Sequence, residues 1–219
     1  MAISSRNSER ADKIVLAATQ LFSRQGYNGT STREIARLAD VSENTLFRHF
    51  EHKEDLFWAA LRSQTVWLEA CKDSLDEVTP LDAPEVVVPK IMGMLTDAVN
   101  FRPHLLRLVA VAFLELPWKA EAYGQEQLGP VCATICNYLK ASMKSGRVRE
   151  LDPSMVTTAM MTLVLMHAGL SRMINSEHRA CIDNRQATRA YTKFWLDILA
   201  PRLAAFARPI ATMSGPALV

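Results

Sequence analysis

The chain has 219 residues, 49% of them hydrophobic and 22% charged, with a formal net charge of +2. That is enough to bury the core of one small domain and one larger one. With a polar opening, MAISSRNSER, export is not expected; the four cysteines without paired-ligand spacing point to a reducing interior and not to a disulfide framework, and the most apolar long stretch, 155–170, with three threonines and a histidine, is too short to be expected to span a membrane. The expected location is the cytoplasm.

A first helix is predicted from about Ser8 to Gln25, burying Ile14, Ala18, Leu21 and Phe22 and stopping at Gly26, a natural left-handed C-terminal residue. Ser31 and Glu34 have the spacing of a capping box, so a second helix starts near Thr32 with Ile35, Ala36, Leu38 and Ala39 on its apolar side. Asp40 ends it, aspartate being among the few non-glycine residues that enter the left-handed region at modest cost. Val41 anchors the turn and Ser42 caps a third helix.

With roughly 100° per residue, Leu46 and Phe50 share the buried stripe of that third helix, while Asn44 and Arg48 point nearly opposite, with Thr45 and Phe47 on the flanks. Asparagine suits adenine and arginine suits guanine, each through paired hydrogen bonds in the major groove. Two short helices, a tight turn and an outward face of this chemistry make a helix-turn-helix, although the face alone would equally suit a solvated surface. Charge adds little, because residues 1–57 carry as many acidic as basic side chains. Affinity must therefore depend on where Arg33, Arg48 and Lys53 sit.

Beyond Lys53 the pattern stays helical and no alternating strand-like run competes. A fourth helix is predicted from Lys53 to about Leu75, then a loop from Asp76 to Pro84 with two prolines and three acids. A helix capped by Asp82 follows from Ala83 or Pro84, with Pro89 kinking it or marking its true start. Another runs from Pro103 to Leu116. A long one ends at Gly146, kinked at Pro130, with Leu128, Val131, Ile135 and Leu139 inside. Asp152 and Pro153 open a helix reaching about Ile174, and Asp183 and Gln186 resemble the capping box of a last helix through Trp195 and Leu199.

The blocks IVLAATQLFSRQGY, GTSTREIARLADVS and NTLFRHFEHKEDL, within about Arg10 to Leu61, resemble the N-terminal domain of the TetR family of bacterial transcriptional repressors. The resemblance covers roughly a quarter of the chain and is specific, because many spaced positions agree in order. It implies an all-α protein: a three-helix, helix-turn-helix DNA-binding domain over residues 1–56, a helical ligand-binding and dimerisation domain over 57–207, and a disordered tail from 208. It implies that Thr32 and Arg33 touch the phosphate backbone or groove edge, that Thr45, Phe47 and His49 lie at the DNA surface, and that Lys53 contacts a phosphate. Three positions depart from the family's pattern: Asp40 where glycine is usual, Phe47 where tyrosine is usual, and His52 in place of a small polar cap.

The last two long helices carry more apolar surface than one small domain needs, with Met155, Leu163, Phe194, Ile198, Leu199 and Leu203 on several faces. In the family the corresponding pair builds a four-helix bundle with a second copy, which implies a homodimer on a pseudo-palindromic operator; filling the monomer's own core is the alternative. Met92, Phe113, Trp118, Tyr123, Met161 and Met166 are soft or aromatic side chains of the kind that line an adaptable apolar pocket, with His104 and His167 as polar handles, although ordinary packing is the better-favoured reading of any one of them taken singly. The resemblance implies repression relieved by a small apolar or amphipathic effector, and no cofactor. A metal- or redox-sensing regulator using Cys132 and Cys136, which face one side of a helix, is the alternative function. An enzyme is not expected, since no phosphate-binding glycine loop, nucleophile elbow or HExxH pair occurs.

Overall fold

The computed structural model describes residues 2–102, 104–174 and 184–201. Among them are eleven helices and no strand: α1 (Ala2–Gln25), α2 (Thr32–Leu38), α3 (Glu43–His49), α4 (Lys53–Thr65), α5 (Trp67–Asp76), α6 (Pro84–Phe101), α7 (Leu105–Glu115), α8 (Pro117–Gln127), α9 (Gly129–Lys144), α10 (Pro153–Ile174) and α11 (Asn184–Leu199). The expected start signals are in place at three of them. Ser31 and Glu34 form the reciprocal capping box of α2, Ser42 Oγ accepts from the Thr45 amide at 3.1 Å at the head of α3, and Asp152 Oδ1 accepts from the Met155 amide at 2.7 Å at the head of α10.

The turn between α2 and α3 is a complete Schellman motif. Asp40 sits at φ 55°, its amide donates to the Arg37 carbonyl, and the Val41 amide donates to the Ala36 carbonyl at 3.0 Å. Gly146, at φ 72°, closes α9 in the same way.

Four helices differ from the sequence expectation, the first by beginning at Ala2 instead of near Ser8. The predicted fourth helix is two, broken at Val66, just after a stretch where the Ser63 and Thr65 hydroxyls both donate to carbonyls three residues back, which favours a bend. The long helix ending at Gly146 is also two: Pro130 has no amide to give to the Glu126 carbonyl and its ring clashes there, so α8 ends at Gln127 and Pro130 opens α9. Leu128, at the break, is partly exposed instead of buried. Asp82 does not cap α6; its carboxylate accepts from the Thr79 amide within the preceding loop, and Pro84 at the first turn starts the helix while Pro89 is carried inside it. Leu38, expected on the buried side of α2, faces solvent. Pro103, Asp183 and the tail from 208 lie outside the described residues.

The core has two parts. One gathers α1 to α4 around Ile14, Phe22, Ile35, Leu46, Leu56 and Phe57, and α7 contributes Leu105, Leu108 and Ala112 to it, with Leu116 just after α7. The other packs α5, α6, α9, α10 and α11 around Met92, Leu139, Met160 and Trp195. Rings run through the first part as a ladder: Phe22 meets Phe57 edge-on at 5.2 Å, Phe57 meets Trp58 edge-on at 5.2 Å, and Trp58 lies 5.1 Å from Tyr123 of α8. The helix pair α2–α3 is thereby mounted on α1 and α4, and α7 and α8 lean against that mount from the other end.

Candidate nucleic-acid interface and effector cavity

On α3, Leu46 is fully buried, while Asn44, Phe47 and Arg48 are exposed and Thr45, His49 and Phe50 are half-buried. The helix is therefore pinned by one leucine and presents an amide and a guanidinium outward on one face. Thr32 Oγ1 donates to Glu43 Oε1 at 2.8 Å, fixing the start of α2 to the start of α3. Arg33, one residue on, is exposed. Phe47 shows a bare ring, 46% exposed, where a phenol would have offered a donor. Lys53, at the head of α4, is half-buried with Nζ 4.4 Å from the centroid of the Tyr27 ring; burial pulls its pKa down, and the Glu115 carboxylate partly offsets this. His52 leaves the start of α4 intact, because the Asp55 carboxylate accepts from its amide at 3.0 Å.

The α7–α8 corner grips this module through polar contacts that nothing in the periodicity announces. Glu115 Oε2 accepts from the Asn28 amide at 2.7 Å, beside Gly26, whose φ is 77° and where a Cβ would fall 2.4 Å from Glu115 Oε1. The positive φ requires glycine there, and a Cβ would push the carboxylate end of Glu115 aside. Lys119 Nζ sits 2.9 Å from Glu54 Oε1, which also accepts from Trp58 Nε1 at 3.2 Å, and the lysine holds the Glu54 carboxyl below its usual range. Higher on α8, the Tyr123 hydroxyl is 2.8 Å from Thr65 Oγ1 at the end of α4. Glu115, Lys119 and Thr65 escaped the sequence reading because their partners lie tens of residues away and each looks locally like ordinary helix surface.

Behind this corner lies an apolar cavity of about 120 Å³, walled by α4 to α8 and α10, with Leu61, Thr65, Trp67, Leu105, Tyr123 and Met161 in its lining. Of the pocket residues named from sequence, Phe113, Tyr123 and Met161 reach it. The others do not. Met92 is fully buried in the second core, Trp118 is 66% exposed, Met166 is exposed, and His167 lies edge-on to Tyr191. His104 Nδ1 is 2.8 Å from Ser23 Oγ, tying α7 to α1, and its pKa is lowered by burial and by Arg24 and Arg107. Trp67 was missed because it sits just past the unforeseen break at Val66.

On α10 and α11, Met155 is 69% exposed and Phe194 is 49% exposed, with Leu163 and Ile198 half-buried. Leu199 instead fills its own chain's core, and Leu203 lies outside the described residues. Cys132 Sγ lies 3.3 Å from Met161 Sδ and Cys136 Sγ 3.8 Å from Ser154 Oγ; among the described residues no three potential metal ligands come together. Burial, and then Cys136, raises the Cys132 pKa, which disfavours a thiolate. No helix among the described residues is long and apolar enough to cross a membrane.

A capped two-helix reader carried by a larger helical body defines the helix-turn-helix class of DNA-binding regulators. The profile of the bacterial regulatory proteins of the tetR family matches residues 14–60. Over 150 residues, 67% of this chain and 68% of the relative, the chain is 38% identical to the HTH-type transcriptional regulator RutR of Escherichia coli O157:H7. With the HTH-type transcriptional regulator QacR of Staphylococcus aureus strain Mu50 it shares 42% identity over 62 residues, 28% of this chain and a span of only 33% of QacR. The transcriptional regulator FadR from Bacillus subtilis, solved in complex with stearoyl-CoA, has the same fold: TM-score 0.69 at 14% identity, over 85% of this chain and 98% of that one. The chain belongs to the tetR family of bacterial regulatory proteins.

Proposed function

We propose that the protein is a ligand-responsive repressor that binds a pseudo-palindromic operator as a homodimer and is released by a small apolar or amphipathic effector. Residues 1–56 read DNA and 57–207 receive the effector and the second copy. The observation that carries the reading is α3 itself: capped by Ser42, anchored by Leu46 and offering Asn44 and Arg48 outward beside Arg33. In this reading Asn44 and Arg48 contact base edges, while Thr32, Arg33, Thr45, Phe47, His49 and Lys53 meet the backbone or groove wall.

The outward stripe of α10 and α11, with Met155, Thr162, Met166 and Phe194 exposed, supports a two-fold helical interface. The cavity supports effector control, since its Tyr123 wall is latched to α4, whose first residue is Lys53. An occupant that favours a parting of α8 from α4 shifts the population away from the DNA-competent spacing; one with equal affinity for both states shifts nothing. FadR was solved with stearoyl-CoA, but an acyl chain of that length exceeds a cavity of about 120 Å³.

Fluorescence anisotropy against tiled fragments of the gene's own upstream region, with sedimentation of the free protein, tests the reading. Saturable binding to one fragment at two protomers per site supports it. Failure to bind any fragment at low salt, or a monomer on the bound DNA, refutes it.

A further inference from the structure

With α3 in the major groove, one side chain of its outward face has no hydrogen bond to make there, and this inference rests on that DNA-binding reading. At roughly 100° per residue, Phe47, Asn44 and Arg48 follow one another around about 100° of the helix, turned away from the buried Leu46. Phe47 forms the edge of that face next to Asn44. Its ring is 46% exposed, whereas Phe50, three residues on, packs against the core.

A phenyl ring has no hydrogen-bonding group. Set against a phosphate, it would displace water from charged oxygens and give no hydrogen bond in return. Among its base edges the major groove holds one apolar group, the C5-methyl of thymine, and an exposed ring beside two hydrogen-bonding side chains matches it. Position sharpens the match. Asparagine pairs with N6 and N7 of adenine, and every adenine so read faces a thymine whose methyl lies in the same groove, beside the edge already engaged. A ring adjacent to Asn44 is placed to cover the methyl of that base pair or of its neighbour. Thr45 also carries a methyl, but it lies about 100° round the helix from Asn44 on the opposite flank, and its Oγ1 sits 2.8 Å from Ser42 Oγ at the cap.

We propose that Phe47 is a base-reading residue that specifies thymine, through contact of its ring with the C5-methyl at or beside the base pair read by Asn44. The groove surface it meets is then a base edge, and the residue adds sequence preference where a phosphate contact would add only position.

The test uses the full chain and a duplex that it enriches from a pool of randomised double-stranded DNA. Each thymine of one half-site is replaced singly by deoxyuridine, which removes the methyl and keeps every base-pairing hydrogen bond. Affinities are read by fluorescence anisotropy for the wild type and for Phe47→Ala. Loss of one buried methyl contact should cost the wild type about two- to fivefold at one thymine. Phe47→Ala should bind that duplex and its uracil counterpart alike. A wild type indifferent to uracil at every position overturns the proposal, whether or not the variant folds, and leaves the DNA-binding reading standing. A uracil penalty that persists undiminished in Phe47→Ala also overturns it, because the methyl then belongs to another side chain such as Thr45. If no duplex is enriched at low salt, the DNA-binding reading falls and takes this inference with it.

Discussion

Replacing Tyr123 by phenylalanine removes one hydroxyl and keeps the ring that rests 5.1 Å from Trp58. The lost contact is a neutral hydrogen bond to Thr65 Oγ1, and Thr65 goes on donating to the Arg62 carbonyl, so no buried donor is stranded. The cost should lie at the low end for such bonds, about 0.5–1 kcal/mol. Thr65→Val is the harsher change, because it leaves the Tyr123 hydroxyl donor facing a methyl group; about 1–3 kcal/mol is expected. Urea unfolding of both single variants and the double variant closes a cycle whose coupling should be about 0.5–1.5 kcal/mol. If the contact is the latch that holds α8 against α4 in the DNA-competent state, Tyr123→Phe should also lower operator affinity without effector, by up to about fivefold. Additivity of the two single variants within about 0.3 kcal/mol, together with unchanged operator affinity, would refute both the bond and its role.

At the DNA face, Arg48→Ala should relax preference at one base position by roughly 1–3 kcal/mol, whereas Lys53→Ala should weaken all sites alike and reduce the salt slope by about 1; isotherms at several salt concentrations on matched and mismatched sites distinguish them. If Lys53 stays on the Tyr27 ring when DNA binds, the slope will not change. Because Asp40 holds φ 55°, Asp40→Val should destabilise by about 1–2 kcal/mol and Asp40→Gly should be tolerated, as read by thermal unfolding. His104 has a folded pKa below its ordinary 6.5, so the unfolded chain binds the extra proton first as pH drops. Its contribution is fully present above 6.5 and is lost as pH falls through the folded value, and His104→Gln should flatten that part of the stability curve.

The helix-turn-helix was legible because everything that makes it is local. A capping box three residues apart, a left-handed residue at the turn and a buried leucine facing away from Asn44 and Arg48 are all fixed by backbone geometry within one or two turns, and the same residues carry the family resemblance. Helix starts at Pro84 and Pro153 were readable for the same reason. The breaks at Val66 and Leu128 were not, since a threonine donating back to its own helix and a proline within a turn each permit a kink, and only packing against neighbours turns a kink into two helices.

The sequence by itself determined the helix-turn-helix: which helix turns a polar face outward, which residues it presents and how its turn is made, because those depend on contacts a few residues apart. Only the tertiary structure decided that α7 belongs to the reader's core, that Glu115, Lys119 and Tyr123 clamp it, and that Trp67 rather than Met92 or His167 lines the cavity. Those outcomes depend on pairs tens of residues apart, 58 to 87 for the clamping contacts, and no helical period encodes which of many apolar or polar positions will meet across such a distance.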